Sequence, residues 1–142
     1  MSPKTGFRWE RPPEEVFGEL GEYFHLAVQD IALVVAKKFA PEIESWMMQN
    51  APWRDRSGIA RKSLYTEVNQ VSRSAVELIL SHGVDYGVFL ELSHAGKWGI
   101  IDRALDVWAP ILWKAIQDLI RWIGDPGSPM PASFSWSDFK RK

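Results

Sequence analysis

The chain contains no cysteine, so disulfide bonds, thiolate metal ligands and cysteine nucleophiles are all excluded. It also lacks an excess of either charge, because 17 lysines and arginines face 18 aspartates and glutamates, giving a net charge of -1. Domains dedicated to nucleic-acid binding are usually clearly basic. The charge balance therefore argues against that class, although it leaves room for a local basic patch.

Long apolar runs are missing as well. The longest run, from Ile31 to Ala36, is far shorter than the roughly 18 residues needed to span a bilayer. The residues that follow Met1 are polar or small and do not form the apolar stretch of a secretory signal. We therefore expect a protein made and used in a cytosol-like compartment, with no membrane partner.

Motifs for catalysis and for phosphate binding are also lacking. The sequence has neither a GxxxxGK[ST] phosphate loop nor a GxSxG nucleophile elbow. The pair Glu91-x-x-His94 offers at most two metal ligands, whereas a protein metal site needs three or four. We interpret this pair as structural, and we expect no enzymatic activity, no metal and no cofactor.

Tryptophan, in contrast, is abundant, with eight in 142 residues. Tryptophan fills hydrophobic cores, but it is also enriched where proteins meet other proteins. A chain of this length is expected to form one domain that buries its own core. Function is therefore argued from binding and assembly.

Two long segments carry apolar residues at helical spacing, namely about Glu14 to Gln49 and Ile101 to Ile123. Pro41 is expected to kink or break the first helix, because proline lacks the backbone N–H donor. For the same reason Pro110 is expected to kink the second helix or to mark its restart. Asp102 is positioned to cap the start of the second helix.

The stretch between the two helices has a different pattern. Residues 50 to 58 read as a loop, and residues 62 to 82 alternate between apolar and polar as two antiparallel strands do. Residues 85 to 92 favour one or two helical turns. The predicted fold is α+β, with a small antiparallel sheet packed against two long helices.

The predicted domain covers residues 14 to 123, with extended arms at residues 1 to 13 and 124 to 142. Phe7 and Trp9 in the first arm are compatible with docking on a neighbour or on the chain's own core. The second arm is rich in proline and glycine. Its aromatic residues are interpreted as contacts with a partner, the alternative being packing on the domain itself; they are Phe134, Trp136 and Phe139.

A basic cluster follows the first helix, with an aromatic residue beside it. Guanidinium groups pair well with carboxylates and with phosphates, so we expect a contact with an acidic partner surface or a phosphate backbone. The alternative is a solvated loop balanced by Asp55 and Glu67. The candidate contact residues are Trp53, Arg54, Arg56, Arg61 and Lys62.

Three short motifs occur in order along residues 20 to 123. They are Ala51-Pro52 followed by Ser57-Gly58-Ile59-Ala60-Arg61-Lys62-Ser63, then Gly83-Val84-Asp85-Tyr86-Gly87-Val88-Phe89-Leu90-Glu91, and then Ala104-Leu105 leading into the last helix. In this order they resemble the tail-completion, or head–tail joining, neck proteins of tailed bacteriophages. The positions that carry the resemblance are Pro52, Ser57, Gly58, Arg61, Ser63, Gly83, Tyr86, Glu91, Ala104 and Leu105.

The resemblance implies a structural virion protein, made in the host cytoplasm, whose copies form a ring, a hexamer, in the neck. Its partners would be a portal-side connector or head-closure protein and a tail terminator or tail tube protein. DNA would pass through the lumen without being read in sequence. A tail terminator or head-closure ring is the alternative of the same class. A small nucleic-acid-binding module using residues 54 to 62 is the alternative of another class.

Overall fold

The computed structural model describes residues 13–72, 75–125 and 127–139. For residues 13, 16, 17 and 19–29 only the backbone is described. The first predicted arm thus lies outside the described residues, apart from Pro13. The elements in chain order are α1 (Pro13–Asn50), α2 (Ile59–Lys62), β1 (Leu64–Ser72), β2 (Ala75–His82), α3 (Gly87–Leu92), α4 (Ile101–Gly124) and a 3₁₀ helix (Trp136–Phe139).

Helix α1 runs for 38 residues, and the predicted break at Pro41 is wrong. Pro41 is exposed, so its ring lies away from the core. The buried side chains of Phe39 and Ile43 on either side hold the helix against its neighbours, and this packing offsets the missing hydrogen bond. Glu14 and Glu15 lie in the first turn, where negative side chains interact favourably with the positive end of the helix dipole.

Helix α4 matches its predicted range and also continues through its proline, Pro110, without a restart. Its buried stripe contains Ala104, Ala115 and Leu119, spaced so that they fall on one face. Pro110 is exposed and lies off that stripe. In both helices, the packing of a long apolar face therefore outweighs the local destabilisation caused by the proline.

The two strands form an antiparallel ribbon in which Leu64 pairs with His82, with an irregularity between Gln70 and Ser72. One face packs on α1, where the Thr66 hydroxyl donates to the carbonyl of Ala40 at 2.9 Å. β1 starts two residues later than predicted, because Ile59–Lys62 forms the single helical turn α2. The α+β fold with a small sheet on two long helices is confirmed.

The core lies between α1, α4 and the inner face of the ribbon. Among the described residues, seven large side chains are at most 2% exposed, and they come from every side of this space: Ile31, Val35, Ile43, Met47, Leu64, Ile100 and Leu119. The opposite face of the ribbon has no layer over it within the described residues. The ribbon is therefore buried on one side only.

The C-terminal segment folds back over α1 and α4. Phe134 is only 8% exposed, and its ring meets that of Phe39 edge-on at 6.2 Å. The interpretation of Phe134 as a partner contact is therefore wrong, because its ring completes the chain's own core. Phe139 is half-buried against Trp122, whereas Trp136 keeps 70% of its surface exposed and stays a candidate contact.

Candidate interaction site

Arg61 organises the loop between α1 and the ribbon. Its guanidinium donates to the carbonyl of Met48 at 2.5 Å and to those of Ala51 and Trp53 at 3.0 Å each. Its Nε pairs with Asp55 at 2.6 Å. All of these groups lie 6 to 13 residues away in sequence. The predicted contact role of Arg61 is wrong, because its donors are already used within the chain.

Trp53 is held beneath the same loop. Its indole is 6% exposed, 5.7 Å from the ring of His82 and 5.8 Å from the guanidinium of Arg61. The loop folds back over the base of the ribbon and covers this ring. Trp53 is therefore a core residue, and its predicted role as an exposed contact is wrong.

The remaining basic residues of the cluster, Arg54, Arg56 and Lys62, are exposed. Asp55, which lies between the two arginines in sequence, turns towards Arg61. No carboxylate among the described residues forms an ion pair with Arg54, Arg56 or Lys62. These three side chains are thus left without an ion-pair partner among the described residues, and their role as partner contacts stays a prediction.

A groove of about 720 Å³ lies beside these arginines, between the loop and α3. Its walls include the apolar side chains of Ile59, Tyr86, Leu90 and Trp98, and Arg54 and Arg56 line it as well. Ile59 is 58% exposed and Tyr86 is 48% exposed, so the apolar walls are open to solvent. The groove thus has apolar walls and two arginines without an ion-pair partner, while Asp55, which also lines it, pairs with Arg61. We refer to it below as the basic groove.

Glu91 ties the ribbon to α4. One carboxylate oxygen lies 2.7 Å from Nε2 of His82, the last residue of β2, and the carboxylate accepts the backbone N–H groups of Ile100 at 3.1 Å and Ile101 at 3.2 Å. It therefore caps the start of α4, where orphan N–H donors need acceptors. The prediction that Asp102 caps this helix is wrong.

The predicted Glu91–His94 pair is not brought together as a ligand pair. Glu91 is bound as described above, and the His94 ring stacks on Trp98 with the centroids 4.6 Å apart. Among the residues that the structure describes, no three histidine or carboxylate side chains are grouped to hold a metal ion. The positions of Glu91 and His94 thus have structural explanations.

Close backbone approaches explain the glycines of the second motif. A Cβ at Gly87 would lie 2.4 Å from the Cβ of His82, and a Cβ at Gly83 would lie 2.9 Å from the carbonyl oxygen of Ser63. The N–H of Gly83 also donates to that carbonyl at 2.8 Å. Gly58, with φ of 74°, precedes α2 in a conformation that favours glycine.

The other motif positions divide between core and surface. Ala104 is fully buried, whereas Pro52, Ser57, Tyr86 and Leu105 are exposed. The first two motifs meet at the base of the ribbon, where the N–H of Gly83 donates to the carbonyl of Ser63.

Sequence reasoning missed a second group of surface residues, which are apolar. On α3, Val88, Phe89 and Leu92 are 62%, 71% and 73% exposed, and on α4, Trp113 is 62% exposed. Helical periodicity identifies apolar positions, but it does not say which of them lack a covering partner. Only the packing of the whole chain reveals these open faces.

Comparisons with protein-family models, with curated proteins and with solved structures gave no match to this chain. Within the described part of the chain, no helix combines the length and the apolar character needed to cross a membrane.

Proposed function

We propose that this chain is a structural subunit of a bacteriophage neck, where its copies form a ring that joins the DNA-filled head to the tail. The observation that carries the proposal is the apolar surface left uncovered on separate elements. Among the side chains that the structure describes, fourteen large apolar ones are at least 36% exposed, and they lie on the ribbon, α3, α4 and the segments beside them. Apolar patches of this kind mark interaction sites.

The distribution of these side chains supports several neighbours and not one. Ile79 lies on the ribbon, Phe89 on α3 and Trp113 on α4, so the open surfaces belong to three different elements. A ring subunit between a head and a tail has a copy on each flank and a different protein above and below. Such a subunit needs four contact surfaces, and exposed apolar side chains on three separate elements would contribute to them.

The motif residues support a structural role. Arg61, Gly83 and Glu91 all act at the base of the ribbon, where they fix the loop, the strands and α4 to one another. These are the positions on which the resemblance to neck proteins rests. All three residues fix the local structure at the base of the ribbon, and a subunit that works by assembly needs such a fixed structure.

The first test is removal of the gene from a phage that encodes it. Electron microscopy should then show DNA-filled heads and finished tails that remain separate, and added purified protein should join them. A tail terminator would instead give tails of uncontrolled length, and a head-closure protein would give heads that lose their DNA. Normal particles in the absence of the protein would contradict the proposal.

The second test is the mass of the purified protein, alone and with the connector and tail tube proteins of the same phage. A hexamer of the 16.3 kDa chain has a mass of about 98 kDa. Mass photometry should show this species or its complex with either partner. A monomer that binds neither partner would count against the proposed function as a neck subunit.

The unpaired charges of Arg54 and Arg56 favour one alternative, a small nucleic-acid-binding module. That function predicts that the isolated monomer binds DNA and that its affinity falls steeply with added salt. Fluorescence anisotropy with labelled duplex DNA at two salt concentrations separates the two functions.

A further inference from the structure

The outward face of the ribbon carries two unpaired carboxylates. Glu67 pairs across the ribbon with Ile79, and Asn69 pairs with Glu77, so the two glutamates are diagonal neighbours on one face. Such neighbours are about 7–8 Å apart, and like charges on adjoining strands are unfavourable. Both are exposed, and neither forms an ion pair with a described residue. This face therefore favours a cationic occupant.

Apolar side chains surround these carboxylates. Tyr65 and Ile79 point to the same side of the ribbon as the two glutamates and are 40% and 36% exposed. An occupant of this face would therefore cover apolar surface as well as pair with the two glutamates. We refer to it below as the acidic face.

The basic groove has the complementary chemistry. Arg54 and Arg56 supply two positive charges from neighbouring positions of the loop. Between the arginines and α3 the groove has apolar walls, including Ile59 and Tyr86. The groove thus matches the acidic face in the sign of its unpaired charges and in its apolar surface.

The acidic face of one molecule is not expected to reach the basic groove of the same molecule. The groove lies at the base of the ribbon, and Glu67 and Glu77 are three and five residues beyond the base pair Leu64–His82. At about 3.3 Å per residue, they lie roughly 10 Å and 17 Å along the ribbon. They also project from the face turned away from α1. The matching surface must therefore come from a second molecule.

We infer that the acidic face of one copy docks in the basic groove of the next copy, with Glu67 and Glu77 against Arg54 and Arg56. Different patches meet in this contact, so it is head-to-tail and generates a ring where the rotation closes. The inference rests on the proposed function, because it supplies the subunit contact of the ring. The apolar walls favour a protein occupant over a phosphate backbone.

Charge reversal tests the pairing. R54E/R56E and E67R/E77R should each weaken self-association by about 100-fold, since close interfacial charge pairs contribute strongly. The chain that carries all four changes should recover the oligomer, because the pairs are restored with opposite polarity. Sedimentation velocity over a concentration series measures all three variants beside the wild type. Circular dichroism confirms that each variant is folded.

A cysteine trap tests the same contact directly, because the chain has no thiol of its own. Protein carrying Ile59→Cys, mixed with protein carrying Ile79→Cys under mild oxidation, should give a disulfide-linked dimer on a non-reducing gel. Val107→Cys in place of Ile79→Cys is the matched control. Val107 is exposed on α4 and should not cross-link.

The outcomes separate the two proposals. A wild-type oligomer that is unchanged by charge reversal and gives no trapped dimer overturns the docking while the neck function stands. A wild-type monomer without a trapped dimer overturns the docking, and the gene-removal experiment then decides the neck function. DNA binding by the monomer that is lost in R54E/R56E also overturns the docking, since the arginines would then bind phosphate.

Discussion

At the scale of single residues, neighbouring side chains of the same type have different tasks. Arg61 is saturated by backbone carbonyls and Asp55, while Arg54 and Arg56 remain open. The sequence shows that the cluster is basic, but the carbonyl partners of Arg61 are up to 13 residues away. Local sequence therefore could not distinguish the structural arginine from the exposed ones.

Arg61→Lys should lower the free energy of unfolding by about 2–3 kcal/mol. An ammonium group cannot reach three carbonyls in fixed directions as the guanidinium fork does, so partly buried acceptors are left unpaired. Urea denaturation followed by tryptophan fluorescence measures the loss. Arg56→Lys is the control and should change stability by less than about 0.5 kcal/mol. Equal effects in the two variants would show that Arg61 is not the organising residue.

Gly87→Ala should destabilise the protein by about 2 kcal/mol, because the new methyl group would lie 2.4 Å from the Cβ of His82. The matched control is Gly18→Ala in α1, where a Cβ meets nothing within 4 Å. That change should stabilise the protein by about 0.5–1 kcal/mol, since alanine favours a helix interior. Thermal unfolding of both variants checks the opposite signs.

At the scale of elements, long periodic patterns were predictable and short elements were not. The apolar stripes of α1 and α4 and the alternation of the ribbon placed these elements within a few residues. The single turn α2 has no buried residue, so no periodic pattern marked it. For residues 127–139, composition predicted an irregular chain, but it could not predict that Phe134 would pack against Phe39.

Phe134→Ala should lower the free energy of unfolding by about 3 kcal/mol, because it leaves a cavity beside Phe39. The C-terminal segment should also become sensitive to limited proteolysis. Trp113→Ala is the control, since Trp113 is 62% exposed and its removal should cost less than about 0.5 kcal/mol. A protease-resistant segment in the Phe134 variant would show that other contacts hold it.

The docking of the C-terminal segment should weaken in acid. The N–H of Ser135 and, next, the ammonium of Lys38 hold the pKa of Asp138 below its usual value of 3.8. A carboxyl group whose pKa is lowered on folding stabilises the folded state above the usual value, and this stabilisation is lost as the pH falls through the lowered pKa. The turn from Ser135 to Asp138 and its ion pair with Lys38 should therefore hold at neutral pH and loosen below about pH 4.

Fluorescence of Trp122 and Trp136, whose rings lie 5.5 Å apart, follows this acid transition. Asp138→Asn should be less protected from proteolysis at neutral pH and should lack the Asp138 component of the transition. Superimposable titration curves of the variant and the wild type would contradict the role given to Asp138.

At the scale of the whole molecule, the described residues cover the ribbon on one side only, and the proposed docking would cover the other side with a second copy. Hydrogen exchange measured at low and high protein concentration should show added protection within residues 52–60, 65–72 and 75–79 in the assembled protein. These segments form the basic groove and the acidic face. Protection confined to α4 would mean that the ring is built through Trp113 and its neighbours instead.

Glu91 has a mechanical consequence. One carboxylate contacts both the last residue of β2 and the first residue of α4, so it links the position of the ribbon base to that of the helix start. In the proposed ring, a displacement of the ribbon by a neighbouring copy would therefore also shift the start of α4.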